Sequence, residues 1–453
     1  MPNKSSLLII AALLAIFNLP LQAQFEPDIS SRYIGIRGMR YQPANTADTP
    51  FKLDINVAGA NISALSNNYL PSFDIANKLQ AGGLENIDDV FTVDNSRAFI
   101  TGNIQLPSVL YAINDRSAVS LTWEIRAFGI YNVSELELFD LISGRASDLA
   151  QQVLDGEFVT GYLNMWMEIG AGYARSFDIS ENHRVKFGGK FKILSGTGSA
   201  FFDIDNIGLE SDINSELQNI NAEIDFGFDN TINDLFEGES VDLFKSIGYG
   251  LDFGAVYEYR PQNQKYGDDY QFRVGFTVND IGSIKYKDSR QLQSISVSAD
   301  SAATENFAGI HTLEEAADAL EKTFDITSET NTDYRIRLPL SLILQFDYNF
   351  GNNFYLHVSP ALTIPDFDLL SKRLDNIFAL NVIPRYEKLR WGTYLPLTYN
   401  NVAEKLNVGI GGRWRFISVG SYSLISKLFD SENSLTNLFV NFRIPIYKDE
   451  FKR

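Results

Sequence analysis

Apolar and polar residues alternate with a period of two along most of this chain. The longest run puts Ile336, Leu338, Leu340, Leu342, Leu344, Phe346, Tyr348 and Phe350 on one face, and Arg335, Arg337, Ser341, Gln345, Asp347 and Asn349 on the other. Strands of soluble sandwiches are usually shorter, about 5–6 residues, whereas a tilted membrane-spanning strand needs about 9–11. The pattern recurs as Val119, Leu121, Trp123 and Ile125 against Ser120, Thr122, Glu124 and Arg126, and as Val185, Phe187, Phe191 and Ile193 against Lys186, Lys190 and Lys192. Later copies are Phe272, Val274, Phe276 and Val278 against Arg273, Thr277 and Asn279, then Leu406, Val408, Ile410 and Trp414 against Asn407, Arg413 and Arg415.

Connections between these segments fall into two classes. Asn114-Asp115-Arg116-Ser117, Ser180-Glu181-Asn182-His183, Gly351-Asn352-Asn353 and Glu387-Lys388 are tight polar turns. Residues 61–96, 133–160, 196–246 and 287–333 form the long connections. Short turns on one side and long loops on the other predict an all-β fold, a transmembrane antiparallel barrel of about 14 strands over residues 51–447 with both ends periplasmic. Residues 24–50 would form a small N-terminal segment before the first strand, and 448–453 a periplasmic tail.

The amino terminus reads as an export signal over residues 1–23, with Lys4, the apolar run 7–17 and Leu21-Gln22-Ala23 before the cleavage site. No later stretch has the 18 or more apolar residues of a spanning helix. Cysteine is absent, which excludes disulfides, thiolate chemistry and Cys-based metal sites. Outer-membrane localisation follows, with lipid as the first partner. Tyr131, Tyr162, Tyr173, Tyr257, Tyr259, Tyr286, Tyr334 and Tyr399 flank strands as interfacial girdles would. Short helices are expected in the long connections, one capped by Thr312 and Glu315, another beginning at Ser134.

Charge refines the picture. Without residues 1–23 the chain keeps 37 basic against 57 acidic residues, a net −20 that argues against nucleic acid. The four long connections hold 33 acidic and 6 basic residues, leaving the remainder net positive. They suit solvated loops, divalent-cation bridging to anionic lipid, or docking of a protein partner through residues 196–246 and 287–333.

A family resemblance enters at Gly38-Met39-Arg40-Tyr41-Gln42-Pro43-Ala44-Asn45-Thr46-Ala47-Asp48. This stretch resembles the Gly…Asn-Pro-Ala…Asp segment of the long-chain fatty-acid transporter superfamily, with Gln42 where the usual Asn stands. Further echoes are Gly250-Leu251-Asp252-Phe253-Gly254-Ala255-Val256-Tyr257, Asn279-Asp280-Ile281-Gly282-Ser283-Ile284, Lys192-Ile193-Leu194-Ser195-Gly196 and Leu338-Pro339. Together they are most similar to a domain-of-unknown-function branch of outer-membrane barrels related to the fatty-acid transporters and to the shuttle barrel of type IX secretion. The resemblance implies that Gly38, Gln42, Pro43, Ala44, Asn45 and Asp48 belong to a plug inside the barrel.

Alternation places Glu124, Arg126, Lys190, Lys192, Arg273, Arg335, Arg337, Asp347, Arg413 and Arg415 toward the lumen, where charges of both signs would pair with each other and with the plug. Catalysis has little support: His183, His311 and His357 are the only histidines, and only His357, with Ser359 on the same face, could form a Ser–His pair. Asp203 to Gly208 begins like a calcium loop, but Ile207 occupies a ligand position. No metal, cofactor or enzyme activity is expected. The reading is plug-gated passage of a hydrophobic or small polar compound. The alternative is a non-transporting barrel that serves as subunit or docking platform of an outer-membrane assembly.

Overall fold

The computed structural model describes residues 26, 28–67, 96–134, 153–211, 217–232, 242, 244–261, 269–302, 313–365, 376–429 and 435–449. The signal at 1–23, His311 and the helix expected after Ser134 lie outside them.

Among the described residues, 19 hydrogen-bonded segments form one antiparallel sheet that closes on itself. They merge into fourteen strands because several are interrupted rather than ended. The strands are β1 (Phe51–Ser66), β2 (Ser96–Gln105 and Ser108–Ala112), β3 (Ser117–Val133), β4 (Val153–Ser180), β5 (His183–Ser211), β6 (Leu217–Asp229 and Ser246–Tyr259) and β7 (Phe272–Ala302). Then follow β8 (Glu329–Arg337 and Leu340–Gly351), β9 (Phe354–Ile364), β10 (Ile377–Glu387), β11 (Trp391–Tyr394 and Leu397–Asn400), β12 (Leu406–Val408 and Ile410–Trp414), β13 (Ile417–Ser421) and β14 (Leu435–Tyr447). Closure is made by β1 and β14, from Phe51 opposite Tyr447 to Leu65 opposite Leu435.

Proline accounts for three of the interruptions. Pro107, Pro339 and Pro396 fall in the breaks of β2, β8 and β11, where a residue without an N–H cannot extend the ladder. All four predicted tight turns lie at one end of the barrel, together with Phe51 and Tyr447.

Outward positions are apolar. Leu121, Phe187, Phe253, Leu344, Trp414 and Phe442 are 48–65% exposed, an arrangement stable only against lipid. Alternation reverses twice along neighbouring strands. At Asp280 of β7 the backbone turns left-handed (φ 64°), so Asn279 and Asp280 are both buried. In β8 the extra residue at Leu338-Pro339 does the same: Tyr334 and Ile336 face inward on one side of the break, Ser341 and Ile343 on the other.

Strands β4, β5 and β7, of 28, 29 and 31 residues, are far longer than a membrane requires. Much of the expected connections 196–246 and 287–333 is therefore ladder: Ala200–Ser211 pairs with Leu217–Phe228, which pairs in turn with residues 290–302. Ile224, Phe226, Phe228, Leu292 and Val297 form its core, covered by helix α1 (Leu313–Phe324), which begins where the Thr312 cap predicts. Arg290 anchors that helix through Asp318 (2.7 Å) and Glu321 (2.9 Å).

Candidate functional site

Residues 28–50 lie inside the barrel, folded into short turns rather than strand because Gly35, Gly38 and Pro43 do not favour an extended run. Gln42 caps the turn Pro43–Thr46 by accepting from the Ala44 amide, and its Nε2 donates to the Phe276 carbonyl on β7 at 3.2 Å. Here Gln does both tasks, holding its own segment and gripping the wall. Asn45 donates its amide to the Gln42 carbonyl (3.0 Å), and Gly38 packs under Ile34 with no room for a Cβ.

Glycines of the wall admit this segment. A Cβ on Gly188 would sit 2.5 Å from the Pro43 carbonyl carbon and the Ala44 nitrogen, both backbone atoms. One on Gly172 would meet Met39, and one on Gly254 would meet Gln42. Neighbouring strands β4, β5 and β6 thus share a groove shaped by missing side chains.

Polar contacts hold the segment to the wall. Arg40 donates to Glu124 at 2.8 Å, the Arg40 carbonyl accepts from Asn279 at 3.0 Å, and the Ile36 amide donates to Asp54 at 2.8 Å. Arg273 donates to the Ser30 carbonyl, and Arg32 lies 3.6 Å from Asp269. Within the segment Arg37 pairs with Glu26 and Asp28. At the rim that carries the tight turns Asp48, itself left-handed (φ 57°), accepts from Arg184 (2.6 Å) and Arg260 (2.7 Å), with Lys186 at 3.8 Å. Burial alone would raise the Asp48 carboxyl, but Lys186, Arg260, Arg32 and Arg184 outweigh it and hold the group below the usual carboxylate range.

Above the segment a charge network crosses the lumen. Arg126 meets Asp280 through two bonds (2.6 and 2.8 Å) and Glu168 at 3.2 Å, while its guanidinium stacks on Trp166. Lys192 bridges Asp252 (2.6 Å) and Asp280 (2.5 Å), and Lys190 bridges Glu168 (3.2 Å) and Asp252 (3.3 Å). With Arg40 and Glu124 the four bases and four acids balance, and every one is buried. A second cluster joins Asp347 to Arg385 (2.6 and 2.8 Å), Tyr270 (2.5 Å) and Arg273 (3.1 Å).

Arg413 also faces the lumen, donating to the Lys388 carbonyl at 2.7 Å. Three expected lumen charges do not. Arg335 and Arg337 are exposed on the outside, because the extra residue at Leu338-Pro339 inverts the alternation that placed them inward. Arg415 is exposed in the turn after Trp414 with φ 46°, since β12 ends one residue earlier. Asp280, Arg385, Arg40 and Asp269 were missed. Arg385 follows from alternation along β10, whereas Asp280 faces inward only through its bulge.

Opposite the network, Gln345, Ser359, Asn381, Thr398 and Asn407 form one row across β8 to β12, all buried. His357 and Ser359 lie in the same region with no hydrogen bond between them, and Asp347 is committed to Arg385, Tyr270 and Arg273 rather than to His357. Asp203 belongs to the β5 ladder and accepts from Thr160. Among the described residues no group of three His, Cys, Asp or Glu could hold a metal ion.

Farther out, Phe99, Phe128, Tyr162, Trp166, Tyr286, Tyr334 and Ile336 close the lumen with an apolar aromatic layer. Tyr162, Tyr286 and Tyr334 are therefore not interfacial, while Tyr173 and Tyr399 are exposed outside. Between this layer and Tyr41 remains a cavity of about 30 Å³, enough for one or two waters.

Residues 43–423 match the model of a family of unknown function, DUF5723. No curated protein matches the chain. Among solved structures it is similar to a mutant of the TodX monoaromatic hydrocarbon channel, with 10% identity over 91% of this chain and 95% of that one and a TM-score of 0.46. It is also similar to a Pseudomonas aeruginosa FadL homologue (14% identity, 92% and 93% covered, TM-score 0.39). A third is the Pseudomonas putida toluene transporter TodX (9% identity, 94% and 95% covered, TM-score 0.37).

Proposed function

The chain belongs to DUF5723, a family of unknown function, and from that premise we propose that it is a gated outer-membrane barrel, with residues 28–50 as a removable plug. One observation carries this reading: the segment meets the wall over glycines and through hydrogen bonds and ion pairs, beside two apolar contacts, Ile29, Ile34 and Tyr41 on Ile343, Ala361, Ala379 and Ile383, and Ile36 and Met39 on Leu110 and Ala118. The polar contacts can be exchanged for water as the plug leaves, whereas the two apolar contacts lose their burial and set the cost of opening.

The compound that passes is small and polar. Below the aromatic layer the lumen is walled by a balanced charge network, by the amide and hydroxyl row Gln345 to Asn407, and by an apolar patch of Ile343, Ala361, Ala379 and Ile383 that the segment covers. A hydrophobic compound pressed against it would strip water from buried charges without replacing their hydrogen bonds, which is costly. Liposome swelling with the double variant Asp48→Asn/Arg184→Gln tests this. Faster entry of small neutral and zwitterionic solutes than in wild type is expected, and swelling no faster than wild type would contradict the gate.

The extended ladder of β4 to β7 with α1 favours docking through the expected connections 196–246 and 287–333 as a second reading, since residues 200–211, 217–228, 290–302 and 313–324 of them form a folded surface beyond the membrane. Replacing 303–328 by a short linker should then remove a co-purifying protein while the barrel still folds. A partner retained by that variant would place docking elsewhere.

A further inference from the structure

Five basic side chains sit on the outer surface of three adjacent strands: Lys245 at the entry to the second part of β6, Lys285 and Lys287 on β7, and Arg335 and Arg337 on β8. Their height follows from the strand they share. Outward positions of β7 run Phe272, Val274, Phe276, Val278 and Ile281 before reaching Lys285. At about 3.3 Å per residue and a tilt near 40°, Phe272 to Ile281 spans roughly 23 Å, close to the ~25 Å apolar band of such barrels. Lys285 stands about 10 Å higher, level with the outer-leaflet headgroups.

Two acids accompany the five bases, Asp288 at 2.6 Å from Lys245 and Asp333 at 2.7 Å from Lys285. A net positive patch is thus set beneath connections that are otherwise strongly acidic. Register makes it tighter, for Arg335 lies directly opposite Lys285; Asp333 offsets Lys285, while Arg335 donates only to the neutral Ser283 hydroxyl at 3.0 Å, so the pair keeps a net positive charge that a further anion would relieve. Arg337, two residues from Arg335, projects from the same face. Beneath the charges Ile281 and Tyr249 are 41% and 61% exposed, a floor suited to acyl chains rather than to a dissolved ion.

We propose that this patch binds the phosphate groups of an outer-leaflet lipid headgroup, with Arg335 and Arg337 gripping phosphate oxygens and Lys285 and Lys287 completing the charge. The inverted alternation at Asp280 and Leu338-Pro339 is what turns this row outward. Without it the two arginines would face the lumen.

Native mass spectrometry of the full-length barrel in detergent tests the assignment, with bis-phosphorylated lipid A and its dephosphorylated form as probes. Wild type should retain the phosphorylated lipid preferentially. The variant Lys285→Gln/Lys287→Gln/Arg335→Gln/Arg337→Gln should lose at least about tenfold in retention, while its heat-dependent gel shift shows that the barrel is folded. Should that variant not fold, Arg335→Gln should weaken retention and Arg335→Lys, which keeps the charge without the fork, should restore it in part. Equal retention of the dephosphorylated lipid, or retention unchanged in these variants, would overturn the proposal. Displacement by excess inorganic phosphate would overturn it too, marking the patch as a site for a dissolved ion.

Discussion

At Gly188 the lumen segment presses on the wall with backbone atoms of Pro43 and Ala44, which cannot swing aside. Gly188→Val should leave the strand paired but unseat residues 43–48, and trypsin cleavage after Arg40 in the intact barrel should rise by an order of magnitude. Unchanged protection would mean that the groove is not needed for seating. Asp48 gives a second test. Its carboxyl titrates below the ordinary value, so its ion pairs contribute fully above 3.8 and are lost only as pH falls further. Protection should therefore be constant from neutral pH down to that region and fall below it, whereas Asp48→Asn should be weakly protected throughout. Arg126 is different in kind: Arg126→Leu leaves Glu168 to Lys190 and Asp280 to Lys192 and the buried network one acid in excess, and should cost about 3 kcal/mol in barrel stability by urea unfolding in lipid.

Elements were legible wherever one face met lipid. Along Leu340 to Phe350, and in the strands around Trp123, Phe187 and Val274, alternation predicts both the strand and the side each residue faces. It misleads at Arg335 and Arg337 because one added residue reverses every side chain beyond it, and nothing in the apolar pattern marks an extra residue. Leu338-Pro339 was the available signal, since a proline inside a strand implies a break in the ladder. Residues 196–246 read as loop for another reason. Beyond the membrane neither face meets lipid, so Asp203, Asp205 and Glu223 can occupy strand and the period fades. If parity rather than proline chemistry is what β8 needs, Pro339→Ala should fold nearly as well as wild type. Deleting Pro339 should abolish the heat-shifted folded band. Equal yields from both would mean that the strand re-registers freely.

Among the described residues the molecule is a closed cylinder whose lumen holds the N-terminal segment, the balanced charge network and the aromatic layer. Its architecture and its apolar exterior could be anticipated from the chain, because a spanning strand must satisfy lipid and backbone pairing along its whole length. The filling of the lumen was less legible, because it depends on which distant strands face each other: Arg40 meets Glu124, and Asp48 meets both Arg184 and Arg260. Single-channel conductance in a planar bilayer, comparing the wild-type barrel with one lacking residues 25–50, tests the gate most directly. The wild type should be silent and the truncated barrel should conduct, steadily or in bursts through the aromatic layer. A truncated barrel that is folded by its heat shift yet as silent as wild type would contradict the gate.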